Sequence, residues 1–306
     1  MKFKSNGKLL ITSEYLVMKG AMALAIPAKL DQELSVTSTN SDFVNWKSFN
    51  KDNQIWYEEK FFLDKGTLIY HGKKNKMSDL IVHLFDYIHR FNNPEKSIGN
   101  EFIWKINFNI NWGLGSSSTL INNLSKWAKV NPYKLLFSVF NASGYDIACC
   151  DKSNPIIFQK KDDYLSVSDT TFNPNFLNNL FLIFLNKKQD TQKSVQNFLE
   201  TDQSLSEGIN QINEIVHEIE NVKDITTFES LIERHEKIIA NILQIPTIQN
   251  EKFPDYNNGV IKSLGSWGGD FVLATGDEKS IDYFKEKGFN TVKKTVSYTH
   301  LTLPTN

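Results

Sequence analysis

The run Phe102-Ile-Trp-Lys-Ile-Asn-Phe-Asn-Ile-Asn-Trp-Gly-Leu-Gly-Ser-Ser-Ser-Thr119 decides how the chain is read. Over residues 102–110, Phe, Trp, Ile, Phe and Ile alternate with polar residues, which predicts a half-buried strand. Gly113-Leu114-Gly115-Ser116-Ser117-Ser118 follows, and then Leu120, Leu124, Trp127 and Ala128 share one helical face. Strand, glycine-serine loop and helix in that order are a phosphate-binding arrangement. The glycines permit a tight turn, the serines offer hydroxyls, and the helix aims its N–H groups and positive dipole end into the loop. Plain helix capping is the alternative reading of the same residues. The loop has neither the Gly-Lys-Ser/Thr ending of a P-loop nor the Gly-x-Gly-x-x-Gly spacing.

Upstream, residues 9–17 form an apolar run interrupted by Ser13 and Glu14, and residues 23–39 read as extended. Residues 42–49 and 55–63 alternate around the polar turn Asn50-Lys-Asp-Asn53 and predict a hairpin. Leu80, Ile81, Leu84, Phe85, Ile88 and Phe91 recur at helical spacing over 77–91, with Ser78 near the start. Downstream, a short helix at 132–140 leads to Asn141-Ala-Ser-Gly-Tyr-Asp146, and 155–159 and 180–185 read as strands. Helical patterns cover 191–222, 228–243 and 279–287, and Gly265-Ser-Trp-Gly-Gly-Asp270 is glycine-rich. A change of texture near 160–175 marks a domain boundary.

The chain has 306 residues, 34 basic against 35 acidic side chains and a net charge of −1, with 40% hydrophobic residues. That balance gives no electrostatic reason to expect nucleic acid or a membrane surface as partner. Arg90 and Arg234 are the only arginines, so anion binding must use lysine, backbone N–H groups and hydroxyls. Cys149 and Cys150 are adjacent, poor geometry for an intramolecular disulfide, which fits a reducing compartment. No apolar run approaches the ~18 residues of a membrane span, and the amino terminus lacks a signal-peptide core. A cytoplasmic location is expected. Residues 296–306 carry no charge and no period and read as a non-native tail outside the fold.

Several residues have two readings each. Asp146, between a glycine and an apolar run, is either an N-cap or a buried carboxylate that orients a hydroxyl or holds a metal. Lys8 and Glu14 flank an apolar strand, where charges are ordinarily solvated. Gly265, Gly268, Gly269 and Asp270 form either a simple turn or a close backbone approach to a ligand. His217 and His235 lie in helical patterns and are expected at the surface or in caps. No zinc-ligand spacing and no Gly-x-Ser-x-Gly elbow occurs.

Taken in order, these segments resemble the motifs of the GHMP kinase superfamily, the galactokinase, homoserine kinase, mevalonate kinase and phosphomevalonate kinase group. Gly7-Lys-Leu-Leu-Ile-Thr-Ser-Glu-Tyr-Leu-Val-Met-Lys-Gly20 with Ala23-Leu-Ala-Ile-Pro27 resembles the first motif, Gly113–Ser118 the second and Gly265–Asp270 the third. Ser143-Gly-Tyr-Asp146 matches the Ser-Gly-x-Asp of the group. The resemblance implies an α+β architecture of two domains: a ribosomal-protein-S5-like ATP-binding domain over 1–165 and a ferredoxin-like α/β sandwich over 166–295. It implies ATP and Mg²⁺ as cofactors and a small-molecule acceptor, with Asp146 and Lys8 as catalytic residues. Gly113, Leu114, Gly115, Ser116, Ser117 and Ser118 would hold the nucleotide, Ser117 would contact the metal, and Glu14, Ser143, Gly144, Gly265, Gly268, Gly269 and Asp270 would line the acceptor site. A homodimer stays open.

The implied reaction is phosphoryl transfer from ATP to a hydroxyl or phosphate, with mevalonate or phosphomevalonate as first acceptors. A mevalonate diphosphate decarboxylase-like reaction and a non-catalytic nucleotide-binding role are the alternatives. Four departures stand out. The second motif lacks its usual opening Pro, having Asn109 to Trp112 there, Ser118 occupies a position where the group usually has Ala, residues 134–145 contain no acid to supplement Ser117 and Asp146 at the metal, and Trp267 interrupts the third motif.

Overall fold

The computed structural model describes residues 1–162, 164–189, 191–199 and 205–299. The chain begins with strands β1 (Lys2–Leu10), β2 (Ala23–Ser38), β3 (Val44–Phe49), β4 (Ile55–Asp64) and β5 (Thr67–Tyr70), with a 3₁₀ turn at Leu16–Lys19. Helix α1 (Lys76–His89), β6 (Asn100–Ile106), α2 (Ser116–Ala128), α3 (Pro132–Phe137) and α4 (Tyr145–Cys149) follow. Next come β7 (Ile156–Lys161), β8 (Tyr164–Asp169), β9 (Leu180–Phe184), α5 (Thr191–Leu199), α6 (Ser206–Glu220), α7 (Ile225–Leu243) and α8 (Ile248–Lys252). The last elements are β10 (Ile261–Ser263), β11 (Phe271–Thr275), α9 (Lys279–Glu286), β12 (Val292–Lys294) and the single turn α10 (Thr295–Tyr298). No described helix is long and apolar enough to cross a membrane.

Two compact units interleave along the chain. The first takes residues 1–7, 30–110 and 115–151, the second 8–29, 111–114 and 152–306. The first unit is built on strands in the order β5-β4-β3-β6-β2, of which β3 and β6 run parallel and the other neighbours antiparallel. Alternation puts Phe102, Trp104 and Ile106 of β6 into the core, where Trp46 stacks on Phe102 and Trp104 with ring centroids 5.7 and 5.0 Å apart. Helices α1 and α2 close this face with Ile81, Leu84, Phe85, Leu120, Ile121 and Leu124. Strand β6 stops at Ile106, short of the expected 110. Beyond it Asn107 pairs with Asp31 through side chains, its Oδ1 accepting the Asp31 N–H at 2.8 Å and its Nδ2 donating to Asp31 Oδ2 at 3.0 Å.

The inner face of α2 is polar. Ser118, Thr119, Asn122, Asn123 and Ser125 are all buried. Thr119 Oγ1 donates to Gln32 Oε1 at 2.6 Å, and Asn123 Nδ2 donates to the Gln32 carbonyl at 2.8 Å while its Oδ1 accepts from Ser5 Oγ at 2.7 Å. Asn122 Nδ2 donates to Ser5 Oγ and to Asp151 Oδ1. These bonds tie α2 to β1 and β2 and leave its rotation no freedom.

In the second unit the first half of β2 pairs with β7, and β7 with β8. A separate antiparallel sheet has the order β10-β11-β9-β12. Counted from β9, the chain runs strand, helices, strand, strand, helix, strand in spatial order 4-1-3-2, the ferredoxin-like arrangement expected for the carboxy-terminal half. Its core joins Phe181, Ile183, Val272 and Ala274 to Phe253, Tyr256 and Phe284. Thr295, at the start of α10, is buried with its hydroxyl on the Leu180 carbonyl, and Thr299 bridges Ala28. Residues 296–299 of the expected tail therefore have a place in the fold, and 300–306 lie outside the described residues.

Replacing Asn123 by Ala would take the acceptor from the buried Ser5 hydroxyl and the Asn123 donor from the Gln32 carbonyl, and urea unfolding should register a loss of about 2–3 kcal/mol.

Candidate active site

In the first unit the site begins at the amino end of α2. Gly115 precedes the helix in the left-handed conformation, φ 86° and ψ 37°, and brings no capping side chain. The N–H groups of Ser116, Ser117 and Ser118 consequently have no acceptor within the helix, whose first internal bond runs from Thr119 N to the Gly115 carbonyl. Ser117 is exposed and Ser118 is buried. An exposed hydroxyl over unsatisfied amide donors and a positive dipole end can receive a phosphate or a metal-bound oxygen.

Asp146 stands in the first turn of α4, behind Gly144, which is the N-cap. The capping reading of Asp146 is thereby displaced by one of its neighbours. Gly144 has φ 99°, and a Cβ there would lie 3.1 Å from the Tyr133 ring, so glycine is required. Ser143 is buried. The Asp146 carboxylate accepts a hydrogen bond at Oδ2 from Ser118 Oγ at 3.2 Å. The predicted aspartate and the predicted phosphate loop meet here, through the serine that departs from the family pattern.

In the second unit Lys8 stands against Gly113 and Leu114. Its N–H donates to the Leu114 carbonyl at 3.0 Å, and its Nζ donates to the Gly113 carbonyl at 3.3 Å. Asp270 packs against Gly113 so closely that a Cβ at Gly113 would strike its carboxylate. Asp270 itself has φ 53°, donates its N–H to the Lys187 carbonyl at 2.7 Å and accepts the Gln189 N–H at Oδ1, 3.1 Å away. Burial pushes its carboxyl up, with the Gln189 N–H and the charges of Lys8 and Lys188 pulling back. Gly269 is needed because a Cβ would lie 2.8 Å from the Lys187 carbonyl, whereas Gly268 meets only Gln189 and Gly265 faces open space. Trp267 is buried, its carbonyl accepting Gln189 Nε2 at 2.7 Å.

No family model and no curated protein matches the sequence. Solved structures do match in shape. The chain is similar to the mevalonate kinase of Methanococcus jannaschii, with 17% identity, 96% of each chain covered and a TM-score of 0.67. It is similar to a Streptococcus pneumoniae phosphomevalonate kinase in complex with phosphomevalonate and AMPPNP, with 16% identity, 96% and 98% covered and a TM-score of 0.64. A Lactococcus lactis galactokinase complexed with galactose matches at 12% identity over 98% and 93%, TM-score 0.65. The chain has the GHMP kinase fold.

Within this fold Glu14 occupies an interior position. It is wholly buried, and Lys262, equally buried, donates to its Oε1 at 2.5 Å and to the Ser263 carbonyl at 2.8 Å. His235 Nε2 accepts the Ser13 N–H at 2.7 Å and lies 3.5 Å from Glu14 Oε2. Glu236 accepts the N–H groups of Ser263 and Ile248. Burial pushes the Glu14 carboxyl up to about 7 against the pull of Lys262, and burial together with the Lys262 charge holds His235 well below its usual value. The expectation of a surface or capping His235 is corrected. Phe228, Leu231, Ile232, His235 and Ile239 share the buried stripe of α7, a spacing that could have revealed it. His217 is exposed, as expected. Lys262 carried no sequence signal, because its partner is far away in the chain.

Lys262→Met should cost about 3–5 kcal/mol in urea unfolding near pH 8, and adding Glu14→Leu should restore most of it. His235 stays neutral in the fold while the unfolded chain takes up a proton near 6.5, so its own contribution to stability falls as pH drops through that value, while the raised Glu14 carboxyl pulls the other way over the same range. His235→Gln removes the falling contribution, so the variant should lose less stability than the wild type between about pH 7 and 5, as followed by thermal melts.

Proposed function

We propose that this chain is an ATP-dependent small-molecule kinase that transfers the γ-phosphoryl group to a hydroxyl or phosphate acceptor, with mevalonate and phosphomevalonate the first acceptors to try. The observation that carries it lies in the first unit: the uncapped start of α2, with the Asp146 carboxylate accepting from Ser118 in its first turn. Phosphoryl transfer requires positioning and positive charge more than covalent chemistry. Backbone N–H groups, serine hydroxyls and one lysine supply these in a chain that has only Arg90 and Arg234 as arginines. For a hydroxyl acceptor, its oxygen attacks the γ-phosphorus, its proton passes to the Asp146 carboxylate, and the bond from phosphorus to the β,γ-bridging oxygen breaks to release ADP. The Lys8 ammonium offsets negative charge gathering on the transferring group.

Mg²⁺ fits the donors present. Among the described residues no cluster of three or more His, Cys, Asp or Glu could hold a metal, but Mg²⁺ commonly takes one or two protein oxygens and completes its shell with water and phosphate. The exposed Ser117 hydroxyl and the Asp146 carboxylate would hold it, and when bound it neutralises phosphate charge. Gly265, with open space at its Cα, and the neighbouring Gly268, Gly269 and Asp270 are assigned to the acceptor side, as are Ser143 and Gly144. The resemblance assigns Glu14 to that side as well, and its carboxylate is wholly buried against Lys262. The buried thiols of Cys149 and Cys150 support a reducing, cytoplasmic setting.

Coupled ADP-release assays over mevalonate-pathway acids, homoserine and sugars test the proposal, with carbon dioxide release reporting a decarboxylase instead. Asp146→Asn should lower acceptor-dependent turnover at least ~100-fold while ATP affinity stays within about twofold. Unchanged turnover would remove Asp146 from the mechanism.

A further inference from the structure

We infer that Ser118 is a positioning residue for the Asp146 carboxylate, an inference that rests on the kinase reading above. Ser118 is the third residue of α2 and only 5% exposed, so its hydroxyl is not a free surface group. A serine hydroxyl inside a helix commonly turns back to a carbonyl of the preceding turn. Here it turns outward and donates to Asp146 Oδ2 at 3.2 Å.

Both ends of this bond are held. Ser118 cannot swing away, because Thr119, Asn122 and Asn123, on the same helix, are bonded to Gln32, Ser5 and Asp151. Asp146 cannot retreat, because Gly144 sets the start of α4 in a left-handed conformation packed against Tyr133, and Cys150 Sγ caps the Asp146 carbonyl at 3.3 Å. The neighbouring serines thus divide their work. Ser117 presents its hydroxyl outward, and Ser118 presents its own to the aspartate. An alanine at 118, usual for the resembled motif, has no proton to donate.

The test is a double-mutant cycle on acceptor-dependent ADP release. Ser118→Ala should lower kcat about tenfold, the scale of one hydrogen bond to a charged group, with KM for ATP within about twofold. Ser118→Thr, which keeps a hydroxyl, should recover most of the loss and guards against a fold defect. In the Asp146→Asn background, Ser118→Ala should add nothing to the residual rate. A raised ATP KM with kcat unchanged, or a full tenfold loss that persists in the Asp146→Asn background, would overturn the positioning role. Wild-type protein without turnover on any acceptor would instead overturn the kinase reading beneath it, whereas active wild type with a silent Ser118→Ala overturns Ser118 alone.

Discussion

The polar seam beneath α2 is the constraint on which the first unit depends. A helix that buries serine, threonine and two asparagines loses free energy at each group unless every one finds a partner. Ser5, Gln32 and Asp151 provide those partners, and they do so in only one rotation of the helix. A purely apolar face would have tolerated small rotations at little cost. The polar one fixes the first turn, so the direction of the free amide groups after Gly115 follows from bonds made farther along the helix.

The second unit stores its constraint in charge. Ser13 and Tyr15 both have positive φ, 70° and 63°, which non-glycine residues seldom adopt. Such a turn persists when its surroundings over-determine it. Here His235 accepts the Ser13 N–H, and Lys262 holds the intervening Glu14, all without solvent. The apolar flanks in 9–17 concealed this role, since charges beside a strand are ordinarily solvated. Charge burial is a tertiary property, and the residues that make Glu14 affordable sit on α7 and β10.

What was legible in the sequence was local. The alternation that begins at 102, the glycine-serine loop and the helix after it depend on neighbours a few residues apart, and strand, loop and helix follow in the order the pattern places them, with the strand ending at Ile106. Strand β5 escaped notice because it has only four residues and its only signal is the two-residue turn Lys65-Gly66, with φ 51° and 90°, that joins it to β4. Strand β10, Ile261–Ser263, is too short to show a period. The bond between Ser118 and Asp146 was illegible for a different reason. Each residue carried its own signal, but nothing in either stretch encodes their meeting.

The glycines of the second and third motifs gain their meaning only in three dimensions. Gly113 and Gly269 are far apart in sequence, yet both are small because of the Asp270 region: one leaves room for its carboxylate, and the other for the 187–189 backbone that binds it. Asp270 adopts a left-handed conformation that aspartate tolerates better than most side chains, and its buried carboxylate is stabilised by an N–H group and by the charges of Lys8 and Lys188. A glycine-rich segment read alone suggests space for a ligand. Two of these glycines instead give space to the protein's own backbone and carboxylate, and that close packing seats Gly113 where its carbonyl accepts from Lys8. Of the third motif's glycines, Gly265 leaves its Cα facing open space and retains the simpler reading.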